Sequence, residues 1–134
     1  MGVDVKKDSV DLGIVTTNGP AMLAFYRDVL GLEHVADTPV PFGGTMHRLM
    51  CGTSLIKVVV PDKDPGNAPA PGGLTGGTGY RYWTISVANL DEVVTAATAA
   101  GHPVPVGRTN VREGVDIAMI EDPDGNWVEL LEQS

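Results

Sequence analysis

Apolar residues along the chain recur with two periods, and the switches between those periods mark the elements. Val10 to Thr16 is short, mostly apolar and β-branched, and reads as a first strand with Asp11, Gly13 and Val15 on one face. Asn18-Gly19-Pro20 then offers a cap and a first-turn proline, and Met22, Phe25, Tyr26, Val29 and Leu30 follow at helical spacing until Gly31. A weak strand at Leu32 to Ala36 precedes two stronger ones, Thr45 to Cys51 and Ser54 to Val60, separated by Gly52-Thr53 as in a hairpin. The first half therefore predicts β-α-β-β-β.

Pro61 to Gly79 holds four prolines and six glycines, too much punctuation for helix or strand, and reads as a linker or a lid. Beyond it the plan repeats. Tyr80 to Val87 is a strand, and Asn89 opens a helix that Glu92 closes into a capping box. Leu90, Val93, Val94, Ala97 and Ala100 line the buried face of that helix before Gly101 stops it. Strands follow at Val104 to Gly107, Val115 to Ile120 and Asn126 to Glu132, the last two joined by the turn Asp122-Pro123-Asp124-Gly125. Gly31 and Gly101, Asp11 and Tyr82, Lys57 and Glu129, and Gly52 and Gly125 are separated by 70, 71, 72 and 73 positions, a spacing that implies an internal duplication. The expectation is one α+β domain over residues 1–134, with modules at about 9–60 and 80–132 and a linker at 61–79. Each half alone has little core, so the two pack together or swap with a second chain and enclose a cleft between their sheets.

Composition narrows the partners. Nine basic against 17 acidic residues in 134 give a net charge of −8, which argues against a nucleic-acid partner and would favour cationic ligands. No apolar run approaches the roughly 18 residues of a membrane-spanning helix. The single cysteine, Cys51, forms neither an intrachain disulfide nor a cysteine-based metal site, and with no apolar leader at the start the expected location is cytoplasmic.

Phe25-Tyr26-Arg27-Asp28-Val29-Leu30-Gly31-Leu32-Glu33, Asn89-Leu90-Asp91, and Asp122-Pro123-Asp124-Gly125-Asn126 with Glu129 resemble the vicinal oxygen chelate superfamily, which includes glyoxalase I, bleomycin-resistance proteins and extradiol dioxygenases. The resemblance covers nearly the whole chain and implies paired β-α-β-β-β modules. It also implies, in metal-dependent members, a divalent ion held by one residue from the first and fourth strand of each module, usually His, Glu or Gln. By position those places fall here on Asp11, on Lys57 or its neighbour Ile56, on Tyr82 and on Glu129, and only Glu129 is of the usual type. Lysine near neutral pH is an ammonium without a lone pair, and a neutral phenol is a poor ligand, so no metal or other cofactor is expected. His34, His47 and His102 fall on no ligand place.

The replacement set, Glu129, Tyr82, Asp11 and Lys57, reads either as self-neutralising pairs, Asp11 with Lys57 and the Tyr82 hydroxyl on Glu129, or as an acid-base centre. In the second case Glu129 is the preferred base, Asp11 the next, and Lys57 or Tyr82 stabilises an oxyanion. The hairpin places Arg48 opposite Lys57 as an anion or carbonyl binder, with His47 in that role should the register slip by one. Trp127, at the strand parity of Glu129, and Met50 would supply apolar wall, whereas Trp83 belongs to the opposite face. The expected function is a metal-independent isomerase- or lyase-type enzyme acting on a small oxygenated metabolite. The alternatives are a non-catalytic protein that sequesters an antibiotic or aromatic compound, and a metal-dependent glyoxalase or dioxygenase. A homodimer is expected by analogy with the family.

Overall fold

The computed structural model describes residues 2–134, which form two compact units that divide between Gly66 and Asn67. The first contains β1 (Leu12–Val15), α1 (Gly19–Leu23), β2 (Glu33–Pro39), β3 (Gly44–Cys51) and β4 (Ser54–Pro61), with a π-helical stretch, Ala24–Val29, continuing α1. Leu30 N accordingly donates to Phe25 O, five residues back, at 2.9 Å. The four strands form one sheet in the order β1-β4-β3-β2. β1 runs parallel to β4, and the other neighbours are antiparallel.

Register decides which side chains share a face. Leu49 pairs with Ile56 and His47 with Val58, and Leu49, Ile56 and Val58 are buried with Met22, Phe25 and Tyr26 of the helical segment. The intervening residues, Met46, Arg48, Met50, Leu55, Lys57 and Val59, occupy the sheet's other face. The two-residue connection at Gly52-Thr53 holds this register, with Gly52 at φ 58 where a side-chain-bearing residue would be strained.

The second unit repeats the order with α2 (Gly73–Gly76) ahead of it: β5 (Tyr82–Ser86), α3 (Leu90–Ala99), β6 (Val106–Arg112), β7 (Val115–Glu121) and β8 (Trp127–Gln133). Its sheet has the order β5-β8-β7-β6, with β5 parallel to β8. Ala118, Ile120, Val128 and Leu130 are buried, as are Leu90 and Ala97 of α3. The other face of β7 and β8 has its own apolar cluster, Val115, Ile117 and Met119, flanked by Trp127 and Leu131.

Three local expectations change. The proline- and glycine-rich segment contains a helical turn, α2, rather than only loop. Asn89 makes no side-chain cap to the α3 backbone; its amide donates to Glu92 Oε2 at 2.9 Å, and the first helical N–H, that of Leu90, donates to Glu132 Oε1 of β8 at 3.0 Å. A carboxylate from the sheet thus satisfies an orphan donor that a local cap ordinarily takes. Ala100, assigned to the buried face, is exposed because α3 ends at Ala99. Arg108 reinforces the α3 anchor by reaching Asp116 at 2.8 Å, Glu132 at 2.7 Å and Asp91 at 3.1 Å. Among the described residues no helix is long and apolar enough to cross a membrane.

Candidate functional site

In the first unit the pairing Arg48 with Lys57 puts both on the face that the hairpin predicts, while Ile56 turns the other way and is buried. Lys57, rather than its neighbour, therefore shares a face with the residue preceding β1: its Nζ lies 3.9 Å from Asp11 Oδ2. Asp11 is also held by Lys7, whose Nζ donates to Oδ1 at 2.7 Å and is the main influence keeping this carboxyl below its usual range. Arg48 Nε donates to Thr38 Oγ1 at 3.1 Å, and Met50 lies on the same face, half-buried. Asp11, Lys57, Arg48 and Met50 thus occupy one sheet face.

In the second unit Thr84 pairs with Glu129, and Tyr82 pairs with Trp127. The hydroxyl on Glu129 is consequently that of Thr84, whose Oγ1 donates to Oε1 at 2.7 Å. The expected Tyr82 contact is replaced because Tyr82 sits two residues earlier on β5, where the residue remains 46% exposed. Trp127 shares the face of Glu129, as strand parity requires, and its Nε1 donates to Glu121 Oε1 at 3.1 Å. Trp83 lies on the opposite face, level with the buried Val128.

A strap from the segment before β5 covers Trp127. Arg81 donates to the carbonyls of Gly73, Ala70 and Pro71 at 2.7, 2.8 and 3.3 Å. Gly73, at φ +52, lies so close to the indole that a Cβ would stand 2.1 Å from Trp127 Cδ2. Only glycine meets both demands.

His47 departs from expectation in a different way. It does not share the Arg48 face; the unslipped register turns it toward the helical side, where it lies opposite Asp37. His47 Nδ1 is 2.7 Å and His34 Nε2 2.5 Å from Asp37 Oδ1, and the three ligand-type atoms all lie within 4.8 Å of one another. In a regular strand His34 and Asp37, three residues apart, would point to opposite faces. The register shift between His34 and Ala36 inserts Val35 as an extra residue and restores a common face. Sequence spacing carries no sign of that bulge, so it does not bring these histidines to a shared site. His47 also helps line an open hollow of about 420 Å³ with Gly19, Pro20, Leu23, Arg27, Thr45 and Val60. His102 belongs to the C-terminal end of α3, its backbone N–H donating to Ala97 O at 2.9 Å. Burial pushes the Cys51 thiol pKa up, so it is a poor nucleophile.

A sequence model described as Glyoxalase/Bleomycin resistance protein/Dioxygenase superfamily matches residues 9–130. Among curated proteins no significant sequence match is found. Solved structures do match. A glyoxalase family protein from Bacillus cereus is 17% identical with a TM-score of 0.81, covering 99% of each chain. A lactoylglutathione lyase from Agrobacterium tumefaciens is 27% identical with a TM-score of 0.64, over 92% of this chain and 91% of that one. The trypanothione-dependent glyoxalase I of Leishmania major is 18% identical with a TM-score of 0.67, over 95% and 87%. Proteins of this family bind small molecules.

Proposed function

The chain belongs to the Glyoxalase/Bleomycin resistance protein/Dioxygenase superfamily, and we propose that it is an enzyme of isomerase or lyase type that moves a proton on a small oxygenated metabolite without a metal at the family's strand positions. The observation that carries this reading is the Thr84–Glu129 pair, a half-buried carboxylate oriented by a 2.7 Å hydrogen bond on a sheet face that also bears Trp127 and Tyr82. Thr84 fixes Oε1, and Oε2, to which no described residue donates, is the atom that takes the proton from a carbon beside a carbonyl and returns it to the neighbouring atom. In the first unit, Arg48 and Lys57 are cations on one sheet face, chemistry that suits an anionic or carbonyl group.

The donor chemistry argues against an ion at these positions. Lys57 offers an ammonium, Asp11 is engaged by two ammonium groups, and one oxygen of Glu129 already accepts from Thr84. Within neither unit do these positions supply the three or four protein ligands of a typical site.

The test is proton NMR in D2O on a panel of 2-oxoaldehydes with and without an added thiol, 2-hydroxy ketones and 2-oxo acids, preceded by a thermal-shift screen. One class should raise the melting temperature and exchange its α-proton, and Glu129→Gln should keep the shift while slowing exchange by roughly 100-fold or more. Exchange that persists in Glu129→Gln removes Glu129 as the base. A second reading, sequestration without turnover, draws support from two aromatic residues level on one sheet face, Tyr82 and Trp127, and the net charge of −8, which suit a flat cation. It requires tight binding that weakens with salt and yields no product.

A further inference from the structure

We propose that His34 Nε2, Asp37 Oδ1 and His47 Nδ1 form a binding site for one divalent transition-metal ion of the zinc class, on the sheet face opposite the one that carries Arg48 and Lys57. The three donors come from adjacent antiparallel strands whose backbone pairing fixes them: Asp37 lies directly across from His47, and His34 across from Leu49. The Val35 bulge brings His34 around to join them. Two imidazoles are the borderline donors that zinc, cobalt and nickel prefer and a carboxylate completes such sets, whereas magnesium and calcium take oxygen ligands almost exclusively.

The donor atoms lie within 4.8 Å of one another. Bonds of about 2.0–2.1 Å to a tetrahedral ion would separate them by roughly 3.3 Å, so Asp37 Oδ1 must retreat by less than about an ångström from each ring while the two ring nitrogens close by at most about 1.5 Å. The histidines are anchored, with side chains 22% and 18% exposed, while Asp37 is 52% exposed and free to make that adjustment. It also gives the ion a route from solvent.

Metal binding needs the lone pair of the ring nitrogen that faces Asp37; where that nitrogen holds the proton of a neutral ring in the metal-free form, solvent removes it and supplies one to the other nitrogen, so each ring stays neutral with its proton on the other nitrogen. For His47 that nitrogen is Nε2, which lies toward Gly19, the residue that opens the hollow. The nearby cation is Arg27, close enough to Asp37 to feel its charge, but its guanidinium is held by Asp28 at 2.8 and 3.2 Å. The chain's net charge of −8 favours the cation overall.

The experiment loads the full chain with zinc sulfate, desalts it and reads metal per chain by elemental mass spectrometry, with cobalt chloride as a spectroscopic substitute. Wild type should retain one equivalent and show visible cobalt bands. His47→Gln and Asp37→Asn should lose affinity by more than the roughly 10–100-fold that removal of an outer partner costs. Melting curves of the metal-free variants close to wild type show that the fold persists, and zinc should raise the melting temperature of wild type alone. Asp11→Asn and Glu129→Gln should keep the full equivalent. No retained zinc in wild type overturns the proposal, as does retention unchanged in His47→Gln and Asp37→Asn. Zinc lost in Asp11→Asn or Glu129→Gln but kept in His47→Gln would overturn both this site and the metal-independent reading.

Discussion

Asp122→Ala tests why the Asp-Pro-Asp-Gly-Asn turn has the composition it has. Asp122 is 2% exposed, and its carboxylate receives Asp124 N and Asn126 N on Oδ1 and Asn126 Nδ2 on Oδ2, each at 2.9 Å. Hydrogen bonds to a charged group contribute about 1.5–3 kcal/mol each when their loss leaves donors unsatisfied. The donors sit in a half-exposed turn where water replaces part of what is lost, so the ordinary net value of about 1 kcal/mol per bond applies and the three sum to about 3 kcal/mol. The backbone bonds of the same turn, Asp122 N to Asn126 O and Gly125 N to Asp122 O, do not depend on the side chain and remain. For a chain of this length a loss of about 3 kcal/mol corresponds to a melting temperature lower by roughly 10 °C. Asp122→Asn, which keeps an oxygen acceptor but presents an amide to the Asn126 amide, should cost about half as much. Urea unfolding followed by circular dichroism gives both values, provided the slope is unchanged. A midpoint for Asp122→Ala within about 1 kcal/mol of wild type would mean that the carboxylate does not hold this turn together, and the reasoning would fail.

Other consequences are equally direct. Gly73→Ala should lift the strap from Trp127, seen as a red-shifted tryptophan emission and faster proteolysis within residues 67–79; unchanged emission would contradict the close approach described for Gly73. Hydrogen bonds from Leu90 N and Arg108 to Glu132, and from Asn110 and Arg108 to Asp116, lower both folded-state pKa values. A lowered folded pKa contributes stability that is complete above the unfolded carboxylate values, about 3.9–4.3, and lost as pH falls through the folded values. Melting temperature should therefore fall less steeply below about pH 5 in Arg108→Ala than in wild type, and parallel curves would remove Arg108 from the account. Cys51 should react with a thiol reagent at neutral pH more slowly than free cysteine, because burial disfavours its thiolate.

Local pattern was enough to identify the strands, the two longer helical segments and the duplicated plan, though not the short α2. The apolar, β-branched run from Ser54 to Val60 and the helical spacing from Met22 to Leu30 are imprinted by burial, a constraint each segment satisfies within its own span. The two-residue Gly52-Thr53 connection likewise determined that Arg48 lies across from Lys57, because hairpin register follows from loop length alone. The side chain of Asp122 folds back on residues two and four positions ahead, so the turn motif is also local chemistry.

What the tertiary structure decided are the contacts between segments distant in sequence. Whether Tyr82 or Thr84 meets Glu129 depends on how β5 slides along β8, and a two-residue difference in parallel pairing leaves face and periodicity unchanged. The carboxylate that caps α3 by accepting from Leu90 N comes from Glu132, 42 residues after Leu90, so no local motif could reveal it. The union of His34, Asp37 and His47 depends on one extra residue in β2, and a bulge is a property of the ladder formed with β3 rather than of either strand alone. Periodicity records which side of an element is buried; it does not record the register at which elements meet, and the candidate sites of this protein are built from register.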